Sequence, residues 1–126
     1  MIVLDSSAVL AVILGEPGAD RVRMAFSQGV ISTACLAEIL TKVTQRGRDL
    51  EGSYVKVGQF GLGVHLVEER HALIAADIAM KAPRALGLSL GDRLCIALAM
   101  ALNCELLTGD RRMAQFDAGV PITLFR

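Results

Sequence analysis

Apolar and polar positions fall into blocks along this chain. Short β-branched or leucine-rich runs precede longer stretches of helical periodicity, and glycines or small polar residues divide them. Ile2–Leu4 reads as a buried strand. Asp5-Ser6-Ser7 offers caps to a helix over Ala8–Leu14, which Gly15 stops. Pro17 stands near the start of a second helix that runs to about Gln28, and Gly29 breaks it. Val30-Ile31 is a second strand, and Ser32-Thr33 caps a third helix, Ala34–Arg46, closed by Gly47. Asp49 starts a fourth helix to about Leu62, weakened by its glycines. Val64–Val67 is a strand, and Glu69–Lys81 is a helix that Pro83 ends.

The strongest stretch is Leu88–Asp110, LSLGDRLCIALAMALNCELLTGD. Ser89-Leu90-Gly91-Asp92 is a helix-start signal, and Leu94–Leu102 carries no polar side chain. A helix apolar all round is a buried helix. The chain turns at Asn103 into a strand, Cys104–Thr108, and meets a second acid, Asp110. Arg111–Phe116 is a helical turn, and Ile122–Phe125 is a last strand, placed at a sheet edge by Pro121 before it. Strands alternating with helices predict an α/β fold, a mainly parallel sheet with helices on both faces. The 126 residues make one domain, residues 1–126, with no linker or repeat.

Composition narrows the function. The chain is 53% apolar and 21% charged, which argues against disorder. Its formal net charge is zero, so any nucleic-acid role rests on local patches and on metal ions offsetting acidic charge, not on bulk electrostatics. Cys35, Cys95 and Cys104 are odd in number and form no C-x-x-C, which reads as free thiols in a reducing compartment. The apolar start lacks a basic flank and is interrupted by Asp5, and no run approaches the ~18 residues of a membrane span. The expectation is a cytoplasmic protein with no membrane partner.

Four acids stand out by position. Ligands of open α/β sheets sit outside the carboxyl ends of the strands, the edge that the helix N-termini also meet. Asp5 follows the first strand, Asp110 follows Cys104–Thr108, Asp92 opens the central helix and Glu38 lies about one turn into the third. Singly, each has a plain structural use: Asp5 and Asp110 as caps, Asp92 in a capping box with Ser89, Glu38 in an i,i+4 pair with Lys42. Together they predict converging carboxylates, whose repulsion needs an offsetting charge. All-oxygen donors suit Mg²⁺ or Mn²⁺. Carboxylate-held ions support in-line phosphoryl transfer, activating water and stabilising the leaving oxygen. Ser6 and Thr108 are candidates to orient a carboxylate or hold water. His65 and His71 show no ligand spacing and read as surface or strand residues, and no phosphate-binding glycine loop is present.

The pieces IVLDSSAVLAVILGEPGA, ACLAEIL, LSLGDRLCIALA, LLTGDRRM and PITLFR, in this order, resemble the PIN-domain ribonucleases, and among them the VapC-type toxins of bacterial toxin–antitoxin pairs. The resemblance spans essentially the whole chain. It implies a PIN-like three-layer sandwich with about five short strands. It also implies that Asp5, Glu38, Asp92 and Asp110 are metal-binding and catalytic, with RNA as the substrate cut endonucleolytically. A cognate antitoxin bound across the first helices and a homodimer are implied as well. Relatives often carry a further acid before the central helix, for which Asp77 is the candidate against plain solvent exposure. Gly109 stands where many relatives have a larger residue.

Arg93, Arg111 and Arg112 adjoin the acids and are candidate contacts to RNA phosphates, with salt bridges to those acids as the alternative. Arg46 and Arg48 read as solvated surface. One tyrosine and no tryptophan leave little base stacking, which favours RNA recognised by shape. Val9, Leu10, Val12, Ile13, Val22, Met24 and Phe26 exceed what two short helices need for one sheet face, so part of them is expected either to form a partner groove or to pack as core. Two rival functions remain: a metal-dependent phosphatase or receiver with Asp5 as phosphate acceptor, and a non-catalytic binding module.

Overall fold

The computed structural model describes all residues, 1–126. Five strands form one sheet: β1 (Ile2–Leu4), β2 (Gly29–Ser32), β3 (Gly63–His65), β4 (Glu105–Thr108) and β5 (Ile122–Leu124). Their spatial order is β3-β2-β1-β4-β5 and every neighbouring pair is parallel. The helices are α1 (Ser6–Leu14), α2 (Ala19–Ala25), α3 (Thr33–Gln45), α4 (Leu50–Gln59), α5 (Glu69–Lys81) and α6 (Leu90–Leu102). Short 3₁₀ turns at Phe26–Gln28, Arg84–Leu86 and Met113–Gln115 complete the chain.

The pleat divides the core in two. Successive strand residues face opposite ways, so Leu4, Ile31 and Leu107 join one cluster with α1, α2, α3 and Val57 of α4. Val3, Val30 and Leu106 join the other, with Ile78 of α5 and Cys95, Ile96, Leu98 and Ala99 of α6. This is the three-layer α/β sandwich that the alternating pattern implies.

Local signals set the ends of the elements. Asp5 caps α1 by accepting from the Ala8 N–H, and Gly15 closes it at φ 67°. Ser89 and Asp92 cap one another's backbone at the start of α6, and Asn103 ends it in the left-handed region at φ 50°. The Pro17–Gln28 helix is shorter than its pattern: α2 is only Ala19–Ala25, with 3₁₀ geometry beyond. The fourth helix stops at Gln59, because Gly61 takes φ 71° and turns the chain into β3.

One open choice is decided and one expectation is corrected. Val9, Leu10, Val12, Ile13 and Val22 are buried under α3, α4 and Phe125, and Phe26 stacks on Phe60 with ring centroids 4.8 Å apart. Met24 alone of that set is exposed, so these residues of α1 and α2 pack as core. His71 is buried, not on the surface: its Nδ1 accepts from the Glu68 N–H at 3.0 Å and its Nε2 has no partner. No helix is long and apolar enough to cross a membrane.

Candidate active site

The sheet order places a topological switch between β1 and β4. From β1 the chain moves outward through β2 and β3, then returns to β4 on the other side. Crossovers leaving such a point in opposite directions open a crevice at the strands' carboxyl ends. Asp5 leaves β1 there and Thr108 ends β4 there, with the Asp5 N–H donating to the Leu107 carbonyl at 3.2 Å.

Asp5 is 6% exposed and densely hydrogen-bonded. Its Oδ2 accepts from the Thr108 hydroxyl at 2.6 Å, and its Oδ1 accepts from the Ser7 hydroxyl and the Ala8 N–H. Burial pushes the Asp5 carboxyl above the ordinary carboxylate range, and the bonds from Ser7 and Thr108 hold it partly down. Thr108 is fully buried and also accepts from the Asp110 N–H at 3.0 Å. Ser7 accepts from the Gly109 N–H at 2.9 Å. Two hydroxyls thus clamp the end of β1 to the end of β4, with the Asp5 carboxylate between them.

Glu38 enters from α3. A Cβ built on Gly91 would lie 2.7 Å from its carboxylate, so Glu38 rests against the backbone of the first turn of α6, beside Asp92. Desolvation raises the Glu38 pKa; Lys42 lowers it, and the charges of Asp92 and Asp5 raise it again. Asp5, Glu38 and Asp92 therefore share one field although they come from three segments. Asp110 stands at the rim, tied to Asp5 through Thr108. Its Oδ1 caps the following turn, accepting from Arg112 N–H at 2.9 Å and lying 3.8 Å from Arg112 Nε.

The other sequence candidates are placed differently. Asp77 is on α5 with its carboxylate 2.7 Å from Lys81 Nζ, an exposed i,i+4 pair. Ser6 makes no hydrogen bond to an acid; the hydroxyl that meets Asp5 belongs to Ser7. Arg93 donates to the Ala75 carbonyl at 3.1 Å and so fastens α6 to α5. Arg111 is exposed and forms no ion pair. Ser7 and Gly91 are site residues that sequence reasoning passed over. The signals for them were the second hydroxyl after Asp5 and a glycine directly before Asp92. Gly109 is also explained: a Cβ there would meet Arg126 Nε at 2.9 Å and the Phe125 ring at 3.0 Å.

The donor set fits a hard divalent cation, being carboxylate oxygen throughout. No three acidic, histidine or cysteine side chains are grouped tightly enough to grip an ion as they stand. The hydrogen bonds show why. Asp92 is folded back onto the Ser89 N–H at 3.0 Å, and Asp5 is turned to Ser7, Ala8 and Thr108. Mutually repelling carboxylates have each taken the nearest donor. The Glu38 cradle at Gly91 and the shared field of Asp5, Glu38 and Asp92 remain the arrangement that a cation would relieve.

Fold and site define an α/β sandwich with an acidic crevice at the switch point of a parallel sheet. The chain belongs to the PIN domain family, whose model matches residues 2–119. Among solved structures it is similar to a toxin–antitoxin complex from Klebsiella pneumoniae, at 16% identity and TM-score 0.75 over 97% of both chains. It is similar to VapBC2 from Rickettsia felis bound to a DNA fragment from their promoter, at 17% and 0.76 over 98% of both chains. FitAcB from Neisseria gonorrhoeae gives 21% and 0.74 over 100% of this chain and 97% of that one. Likeness at these identities establishes the fold. A comparison with curated proteins gives no match.

Proposed function

We propose that this chain is a Mg²⁺- or Mn²⁺-dependent endoribonuclease and the toxin of a toxin–antitoxin pair. The observation that carries the nuclease reading is that Glu38 of α3 lies against the first turn of α6 beside Asp92 and within the field of Asp5, in a member of a family that is generally nucleolytic. Asp5, Glu38 and Asp92 would hold the cation, with Asp110 at the rim. When bound, it supplies a water of lowered pKa and positive charge at the leaving oxygen.

The chain's own residues do the positioning. Thr108 and Ser7 fix the orientation of Asp5 and stabilise its charged form. The Gly91 backbone seats Glu38, and Lys42 balances part of its charge. Arg111, exposed beside Asp110, is free to meet an RNA phosphate, whereas Arg93 and Arg112 already have partners within the fold. The receiver or phosphatase alternative would use Asp5 alone as acceptor, whereas the charges of Asp92 and Asp5 both act on Glu38, which favours a shared cation over a single acceptor.

The toxin reading draws on the toxin–antitoxin complexes among the structural neighbours. An antitoxin needs an apolar seat, and α4 and β3 leave one open. Leu36, Tyr54, Val55, Val57, Leu62 and Val64 line a cleft there of about 270 Å³, with Tyr54, Val55 and Val64 at least half exposed. A homodimer would cover Leu73 and Met80, exposed on one face of α5. The site of action is the cytoplasm, with its RNA.

The test is cleavage of total cellular RNA by the purified chain in Mg²⁺, Mn²⁺ or EDTA, beside Asp92→Asn. Discrete fragments that require metal and vanish in the variant are expected. Intact RNA under both metals, from folded protein freed of any partner, would sink the reading.

A further inference from the structure

Beside the acid site lies a cleft of opposite charge. α1 and the C-terminal half of α3 leave between them a space of about 310 Å³, and its wall carries Ser7, Lys42, Gln45, Arg46 and Arg126 against one acid, Glu16. Arg126 comes from the far end of the chain and lies over the Phe125 ring, 5.1 Å from its centroid. Its approach to Glu16 is loose, 3.7 Å from Nη1 to Oε1. Lys42 and Arg46 form no ion pair at all. They stand one turn apart at the end of α3, Arg46 as its C-cap, and like charges at that spacing repel. A cation near the end of a helix is ordinary. Two cations from the end of α3 and one from residue 126 converge here; Lys42 acts on Glu38 and Arg126 lies loosely by Glu16, so Arg46 is the cation left for an outside anion, with Arg126 able to turn to it.

Two residues of the cleft neighbour the acids. Ser7 lines it and hydrogen-bonds Asp5, and Lys42 is the residue whose charge acts on Glu38 one turn earlier. A strand whose cleaved phosphate lay at the acids would bring a neighbouring phosphate to this opening. Arginine forks, a lysine ammonium and a glutamine amide are donors suited to phosphate oxygens.

We infer that the α1–α3 cleft binds a backbone phosphate of the RNA strand adjacent to the bond being cut, with Arg46 and Arg126 as its principal contacts. The inference rests on the nuclease reading and goes beyond it by assigning residues outside the acid site to substrate. It also reassigns Arg46, a solvated residue by sequence, to a substrate contact.

The test uses Arg46→Gln, Arg126→Gln and their combination, made in an Asp92→Asn background, and a fluorescein-labelled oligouridylate as probe. Binding is followed by anisotropy between about 50 and 200 mM KCl. The double variant is expected to bind several-fold more weakly, and its log K against log salt slope to fall by ~0.7 for one lost single-strand phosphate contact. Arg70→Gln, a charge change on α5, is expected to leave the slope in place. In the Asp92 parent sequence, the same arginine changes are expected to raise KM several-fold with kcat nearly unchanged. Unaltered affinity, slope and KM in a chain that still cuts RNA would overturn the subsite and leave the nuclease standing. A wild-type chain that neither cuts RNA nor binds the probe would overturn both. Unaltered RNA binding with lost affinity for a polyglutamate peptide would assign the cleft to an acidic protein segment instead.

Discussion

Thr108→Val removes one oxygen and keeps the shape of a fully buried side chain. The lost hydroxyl donates to Asp5 Oδ2 at 2.6 Å and accepts from the Asp110 N–H at 3.0 Å. A hydrogen bond to a charged group contributes ~1.5–3 kcal/mol, and an orphaned, partly buried N–H costs about 1 more. The expected loss is therefore ~2–4 kcal/mol out of the ~5–15 kcal/mol that hold a domain folded. At this length a kilocalorie moves Tm by roughly 3–5 °C, so Tm should fall by roughly 6–20 °C. The pH dependence identifies the cause. Burial raises the Asp5 pKa in the folded state, so folding takes up a proton, and stability is greatest below the ordinary carboxylate range and falls as pH rises through the raised value. The Thr108 bond opposes that fall; without it the folded pKa rises further and the fall deepens. Urea unfolding should show the deficit of the variant growing as pH rises above the ordinary carboxylate range. Thr108→Ser keeps the hydroxyl and should recover most of the loss. A valine variant within about 0.5 kcal/mol of the parent, or a deficit independent of pH, would refute the role given to this hydroxyl.

Glu38→Gln removes the carboxylate that Asp92 and Asp5 repel, so the metal-free chain should melt higher at neutral pH while cleavage falls at least ~100-fold; a variant melting lower would remove the repulsion from the account. Gly91→Ala puts a methyl 2.7 Å from the Glu38 carboxylate, a flexible end that can swing away. Its stability should hold or rise by up to ~1 kcal/mol in urea unfolding, with activity down at least ~10-fold. Gly18→Ala acts oppositely: at φ 87° its Cβ would meet the Phe125 carbonyl at 2.8 Å and ring at 2.6 Å, so stability should drop by ~2–4 kcal/mol in the same assay.

What could be read from the sequence was whatever depends on local order. The cap at Asp5, the Ser89–Asp92 box, the stops at Gly15 and Asn103 and the apolar run Leu94–Leu102 of α6 are local, and each stands where the pattern puts it. The strands' carboxyl ends follow from chain direction, so the edge at which Asp5 leaves β1 and Asp110 follows β4 was inferable without distances. Contacts across the fold were not. Whether Ser6 or Ser7 turns to Asp5 depends on the phase of α1 and on Gly109, about a hundred residues later, whose N–H selects Ser7. The apolar residues of α1 and α2 looked excessive because α3, α4 and Phe125 all cover them, which no local window shows. Asp77 and Lys81 had the spacing of an ordinary helix pair, and they form one.

The central claim is that Asp5, Glu38 and Asp92 are one cation site. Mn²⁺ titration of the purified chain, read by electron paramagnetic resonance as loss of the free-ion signal, tests it without a substrate. Mn²⁺ should bind stoichiometrically, with affinity at least ~10-fold lower in Asp5→Asn, Glu38→Gln and Asp92→Asn alike and intact in Asp77→Asn. Binding unchanged in any of the first three, or lost with Asp77→Asn, would contradict it.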